Sequence, residues 1–144
     1  MCYEDYLKVQ RFTQFADRSA YYSQLMKQLT TDFKEEMSHL QLEDFMRERE
    51  ELGSVQIGSY TVMPHMEAEE IPSSKIYLFL LEKPFYWNDQ ASQIRIILTL
   101  FICPKKDSHK EKIRQVIRHF AEPHIEQKLL NSKDNHEVFN LLTN

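Results

Sequence analysis

Two apolar runs, KIYLFLLEKPFYW at 75–87 and SQIRIILTLFICP at 92–104, constrain the fold of this chain most strongly. Both are rich in β-branched and aromatic side chains, and each is closed by a proline or a polar turn. They read as central strands, buried on one or both faces. The opening segment YLKVQRFTQF, with Val9, Phe12 and Phe15 as its apolar residues, is read as a further strand, and YTVMPH as a short one.

Helical patterns alternate with these strands. After Asp17, a good N-cap, the residues Tyr21, Leu25, Leu29 and Phe33 recur every four positions as one apolar stripe. A second helix runs through LQLEDFMREREEL, with Leu42, Phe45, Met46 and the stem of Arg49 turned inward, and ends at Gly53. DSHKEKIRQVIRHF is a third, capped by Asp107 or Ser108, with Ile113, Val116, Ile117 and Phe120 on its core face. A short helix near Pro123 carries Ile125, Leu129 and Leu130 inward, and a last one starts at the capping-box-like pair Asp134 and Glu137 and buries Val138, Leu141 and Leu142. The two glycines, Gly53 and Gly58, read as backbone punctuation. The order of elements, without repeats or linkers, predicts one α/β domain over residues 1–144, a mixed β-sheet sandwiched by helices.

With 42% of its residues hydrophobic, the chain can build a core of ordinary domain size. A net charge of −4 argues against a surface for polyanions, and the locally basic segment PKKDSHKEKIRQVIRH has the spacing of a solvated helix face. Any role in gene regulation would leave nucleic-acid contact to another domain. No apolar run approaches the roughly 20 residues that cross a bilayer, and MCYEDYLKVQ has no signal-peptide features, so a cytoplasmic protein is expected. Cys2 and Cys103 are far apart in sequence and read as free thiols.

Six histidines are the chief candidates for chemistry. His39, His119, His124 and His136 lie in or beside amphipathic helices among polar neighbours and are assigned no role. His65 follows a predicted strand, and His109 sits in the first turn of a helix that itself follows a strand. Strand ends and helix starts are where α/β proteins gather reactive groups.

The stretch REREELGSVQIGSYTVMPH resembles the second type of enzyme IIA domain of the bacterial phosphotransferase system, the fructose and mannitol class. In that family an Arg-Glu pair on a helix precedes a glycine turn and a Pro-His signature whose histidine is phosphorylated. Arg49, Glu50, Gly58, Pro64 and His65 match those positions. The resemblance continues through EKPFYW, where Trp87 matches a family tryptophan, and through ICPKKDSHKEKIRQVIRHF, where His109 matches a second histidine at a helix start. SKDNHEVFNLL resembles the family's terminal helix. The chain departs from the pattern at Val55, Tyr60, Val62 and Met66, where the family commonly carries smaller or polar residues. These substitutions crowd the site and are similar to the enzyme IIA-like domains of sugar-responsive transcriptional regulators.

The resemblance implies that His65 takes a phosphoryl group from the carrier protein HPr and exchanges it with an enzyme IIB domain or serves the domains of a larger regulator, with no cofactor. A carrier imidazole must be neutral, with one nitrogen free and the other held on an acceptor, here expected to be a carbonyl in the turn just after His65. Pro64 would stiffen the approach. Arg49 is the candidate to grip phosphoryl oxygens, since the residues three and four positions from it offer no acidic partner. His109, with the free backbone N–H groups around Ser108, would complete an anion pocket. Val62, Met63 and Met66 around the ring are read as an apolar docking rim, with burial in the strand an equal alternative for Val62 and Met63. Two other readings are an interaction module that keeps the fold without accepting phosphate, and a metal site of His65, His109 and Glu67, Glu69 or Glu70, which no compact ligand spacing supports.

Overall fold

The computed structural model describes residues 5–33, 39–69 and 71–143. Cys2 and Glu70 lie outside them, as does the side chain of His39. In chain order the elements are β1 (Leu7–Phe12), α1 (Arg18–Phe33), α2 (His39–Glu51), β2 (Thr61–Val62), β3 (His65–Glu67), β4 (Lys75–Phe85), β5 (Ile94–Ile102), α3 (His109–His119), α4 (Ile125–Leu130) and α5 (Asn135–Thr143). They build a mixed five-stranded sheet in the order β1-β4-β5-β2, with β3 also paired to β5. The β4/β5 pair is antiparallel, whereas β1 runs parallel to β4, and β2 and β3 run parallel to β5.

The two apolar runs are continuous because both of their faces are covered. Tyr77, Phe79, Leu81, Ile97 and Phe101 pack on one side with Tyr21, Leu25, Leu29, Leu42 and Met46 of α1 and α2. Ile76, Leu78, Leu80, Ile96, Leu98 and Leu100 pack on the other with residues of α3, α4 and α5, among them Ile113, Val116, Ile125, Leu129, Val138 and Leu142. Each such side chain, fully buried, contributes about 1.5–3 kcal/mol of transfer free energy, so the pleat recruits helices to both layers. The expected α/β sandwich is present.

Local signals account for most element ends. The Ala20 N–H donates to Oδ1 of Asp17, which caps α1. At α5, Glu137 N–H donates to Asp134 Oδ1 while Lys133 N–H donates to Glu137 Oε2, the reciprocal pattern of a capping box displaced by one residue. Phe45 departs from expectation: it is 42% exposed, because α2 turns only Leu42 and Met46 fully into the core. Cys103 is a buried free thiol. Among the described residues, no helix is long and apolar enough to cross a membrane.

Candidate functional site

Pro64 divides YTVMPH into two short strands. Lacking an N–H, it interrupts the ladder between β2 and β3, yet its carbonyl still accepts from the Leu100 N–H at 2.9 Å, so the chain stays on β5. Alternation along β3 buries Met66, leaves His65 half-buried and exposes Glu67. His65 is thereby held at the sheet margin in register with Leu100.

Arg49 reaches this ring from the last turn of α2. Its Nε–H donates to His65 Nε2 at 3.2 Å, and its Nη1 donates to the Gly53 carbonyl at 3.2 Å. Gly53 has φ 155°, a backbone conformation that other residues rarely adopt, so the turn that presents this carbonyl is a glycine position. A nitrogen that receives an N–H carries the lone pair, which puts the His65 proton on Nδ1. The carbonyl hydrogen-bonded to the ring is that of Met63, two residues before His65 rather than in the turn after it. Burial, and then the Arg49 guanidinium, hold the imidazole below its usual pKa, against Glu67 and the Met63 carbonyl, which raise it. A neutral ring with its lone pair on Nε2, beside a guanidinium, can attack an electrophilic phosphorus.

Glu50, next to Arg49, faces elsewhere. Its Oε1 and Oε2 accept from Arg18 Nη2 and Nη1 at 2.9 and 3.2 Å. The Arg18 guanidinium carbon lies 3.8 Å from the centroid of the Trp87 ring, and Nη2 also donates to the Tyr22 hydroxyl at 2.9 Å. This cluster ties α1, α2 and the turn after β4 together. Arg18 carried no signal in the sequence, because its ionic and indole partners, Glu50 and Trp87, lie 32 and 69 positions away.

His109 is held at the start of β4. Its Nδ1 is 3.0 Å from the Ser74 carbonyl, and its ring is 6.1 Å from that of Tyr6. Among the described residues, no hydrogen bond or ring contact joins His109 to His65. Ser74 precedes β4, and β5 separates β4 from β3, a backbone separation of about 10 Å. The N–H groups expected to form an anion pocket are occupied: Asp107 Oδ1 accepts from His109 and Lys110 N–H at 2.8 and 3.1 Å, and Oδ2 accepts from Ser74 N–H and Oγ at 3.0 and 2.9 Å. Ser108 makes no side-chain capping bond. Of the two cap candidates, Asp107 therefore acts.

The expected docking rim also differs. Met66 is 3% exposed in the core with Phe101, and Val62 is fully buried, so their bulk lies beneath the sheet margin rather than around the ring. Met63 is half-buried against the opposite core. Among the described residues, no group of three His, Cys, Asp or Glu side chains is placed to hold a metal ion.

Known proteins share this architecture. The structure superposes on the nitrogen regulatory protein IIA-Ntr from Neisseria meningitidis with a TM-score of 0.75 and 17% identity, covering 96% of this chain and 97% of that one. It superposes on the complex of enzyme IIAMTL and phosphorylated enzyme IIBMTL from Escherichia coli with a TM-score of 0.65 and 15% identity, covering 94% and 97%. In sequence it is 23% identical over 103 residues to multiphosphoryl transfer protein 1 of Escherichia coli strain K12, covering 71% of this chain but only 12% of that protein. The model of one family matches residues 14–144, and the chain thus belongs to the phosphoenolpyruvate-dependent sugar phosphotransferase system EIIA 2 family.

Proposed function

We propose that this chain, as one cytoplasmic domain over residues 1–144, carries a phosphoryl group on Nε2 of His65, received from HPr. The observation that carries this reading is the 3.2 Å contact of Arg49 Nε with His65 Nε2, together with the Met63 carbonyl on the ring. In the transfer, the Nε2 lone pair attacks phosphorus of the donor phosphohistidine. The donor N–P bond breaks, its electron pair returns to the donor imidazole, and a new N–P bond forms at His65, whose Nδ1–H stays on the carbonyl. Arg49 leaves the lone pair and turns its N–H groups to the phosphoryl oxygens, where charge accumulates. The onward partner is an enzyme IIB domain or the remainder of a sugar-responsive transcriptional regulator or antiterminator. The regulatory context finds support in the likeness to a nitrogen regulatory IIA protein. There, roughly two added negative charges would alter a domain interface.

One observation favours the rival reading of an interaction module that takes no phosphate: Arg49 already occupies the lone pair that must attack. Incubation with enzyme I, HPr and phosphoenolpyruvate, followed by intact mass under alkaline conditions, separates the two. An added phosphoryl mass that is lost in His65→Ala and kept in His109→Ala supports the carrier. No added mass with cognate HPr leaves the interaction module.

A further inference from the structure

We propose that Glu126, on the helix layer opposite Arg49, is a positioning residue for His65. This inference rests on reading His65 as the phosphoryl acceptor. Glu126 Oε2 accepts from the Tyr60 N–H at 2.8 Å and from the Thr61 hydroxyl at 2.6 Å. The same carboxylate presses on Gly58, where a Cβ would lie 2.6 Å from Oε2. A side chain at position 58 would therefore displace this carboxylate, the far end of a flexible side chain, while the backbone there has no positive φ.

From this clamp to the reactive ring the chain is pinned at nearly every step. The Arg95 and Ile96 N–H groups both donate to the Tyr60 carbonyl at 2.9 Å, and Thr61 and Val62 pair with Ile96 and Ile97. The Met63 N–H donates to the Val55 carbonyl at 2.7 Å, and the Leu100 N–H to the Pro64 carbonyl. The Met63 carbonyl, which holds the His65 ring, thus inherits its place from a strand whose first residues are gripped by Glu126. The two-residue β2 is too short to fix that start by its own ladder. A cavity of about 300 Å³ opens beside the clamp, lined by Gly58, Tyr60, Thr61, Glu122, Glu126 and Gln127.

Two readouts test this: the ring 15N spectrum of His65 at neutral pH, and the rate of phosphoryl uptake from phosphorylated HPr. The expected wild-type signature is a single Nδ1–H tautomer. Glu126→Ala gives a mixture of tautomers and uptake slowed about tenfold, since small misplacements of a reacting group cost this much or more. Glu126→Gln, whose amide oxygen still accepts both hydrogen bonds, restores both readouts. Gly58→Ala reproduces the loss by displacing the carboxylate, and the double variant Gly58→Ala/Glu126→Ala is no worse than either single one. A folded Glu126→Ala with the wild-type ring spectrum and rate, or losses that multiply in the double variant, overturns the proposal. If Glu126→Ala fails to fold, Gly58→Ala against Glu126→Gln still decides it. Absence of uptake in the wild type would refute the acceptor reading alone, because the tautomer comparison needs no phosphate.

Discussion

Arg49 places its Nε–H 3.2 Å from His65 Nε2, so the cation that would stabilise a phosphoryl group also lowers the pKa of the nucleophile beneath it. Burial acts first and Arg49 second, both favouring the neutral ring below the ordinary value of 6.5. Phosphoryl uptake should therefore hold constant as pH falls through 6.5 and drop only as the pH passes the depressed pKa of His65. The sign for stability is the reverse of a salt-bridged histidine: below about pH 6.5 the unfolded chain binds the proton more readily, so His65 makes folding less favourable as pH falls toward its folded pKa. His65→Gln should flatten that part of the stability profile. An NMR titration of His65 with a midpoint at or above 6.5 would contradict the electrostatic reading.

Arg49→Ala tests the second half of the same relationship. Removal of one preorganised donor from a developing oxyanion typically costs on the order of 100-fold in rate. Uptake from phosphorylated HPr should slow by that order, while the His65 pKa rises and global stability changes by less than about 1 kcal/mol, since Arg49 is half-buried and ends a helix. Arg49→Lys should recover only part of the rate, because an ammonium cannot grip two oxygens in a plane. A wild-type rate in Arg49→Ala, measured in stopped or quenched flow, would remove Arg49 from the transfer.

Arg18 should matter for stability far more than an ordinary helix-start arginine. Both ions of its pair with Glu50 are about three-quarters or more buried, with side-chain exposures of 24% and 21%, and the guanidinium covers Trp87. Arg18→Ala leaves the Glu50 carboxylate without its partner and uncovers an indole face, for an expected loss of about 2–3 kcal/mol. Trp87→Leu keeps the ion pair but opens a cavity against Tyr21 and Phe85, for an expected loss of about 2–4 kcal/mol. Urea unfolding of the variants measures both, and a loss under about 0.5 kcal/mol in Arg18→Ala would make the cluster incidental.

Such long-range partners explain where sequence reading stopped. The runs that form β4 and β5 and the four-residue stripe of α1 are local patterns, visible because each residue's burial follows from its neighbours' periodicity. His65, Arg49 and Gly58 stood out through family resemblance, but the carboxylate that meets Gly58 comes from 68 positions away, which no local pattern encodes. Phe45 satisfied the helical spacing and is nonetheless 42% exposed, since the stripe that α2 buries is narrower than its apolar face. The sequence reads Met66 as docking rim, whereas the register with Phe101 puts it in the core. The adjacent cap candidates Asp107 and Ser108 were equally plausible until Ser74 arrived from the start of β4 to choose between them.

That choice yields a further prediction. Burial by itself would raise the Asp107 carboxyl, but hydrogen bonds from the Ser74 backbone and hydroxyl, and from the His109 and Lys110 N–H groups, carry it below its ordinary value of 3.8. A depressed folded pKa means stability that is present above about pH 4 and is lost as the pH falls through the folded value, because protonation then removes the acceptor from four donors. Asp107→Ala should cost about 1–2 kcal/mol at neutral pH, as loss of a helix cap does, while Ser108→Ala changes stability by less than about 0.5 kcal/mol. Ser74→Ala should reproduce part of the Asp107→Ala loss, since the Ser74 hydroxyl also accepts from the Cys103 N–H at 2.9 Å and so links the cap to the end of β5. Thermal unfolding at pH 7 and pH 3 separates the contributions: the gap between wild type and Asp107→Ala should shrink at the lower pH. A gap that stays the same would show that the carboxylate's charge plays no part in holding α3 to the sheet.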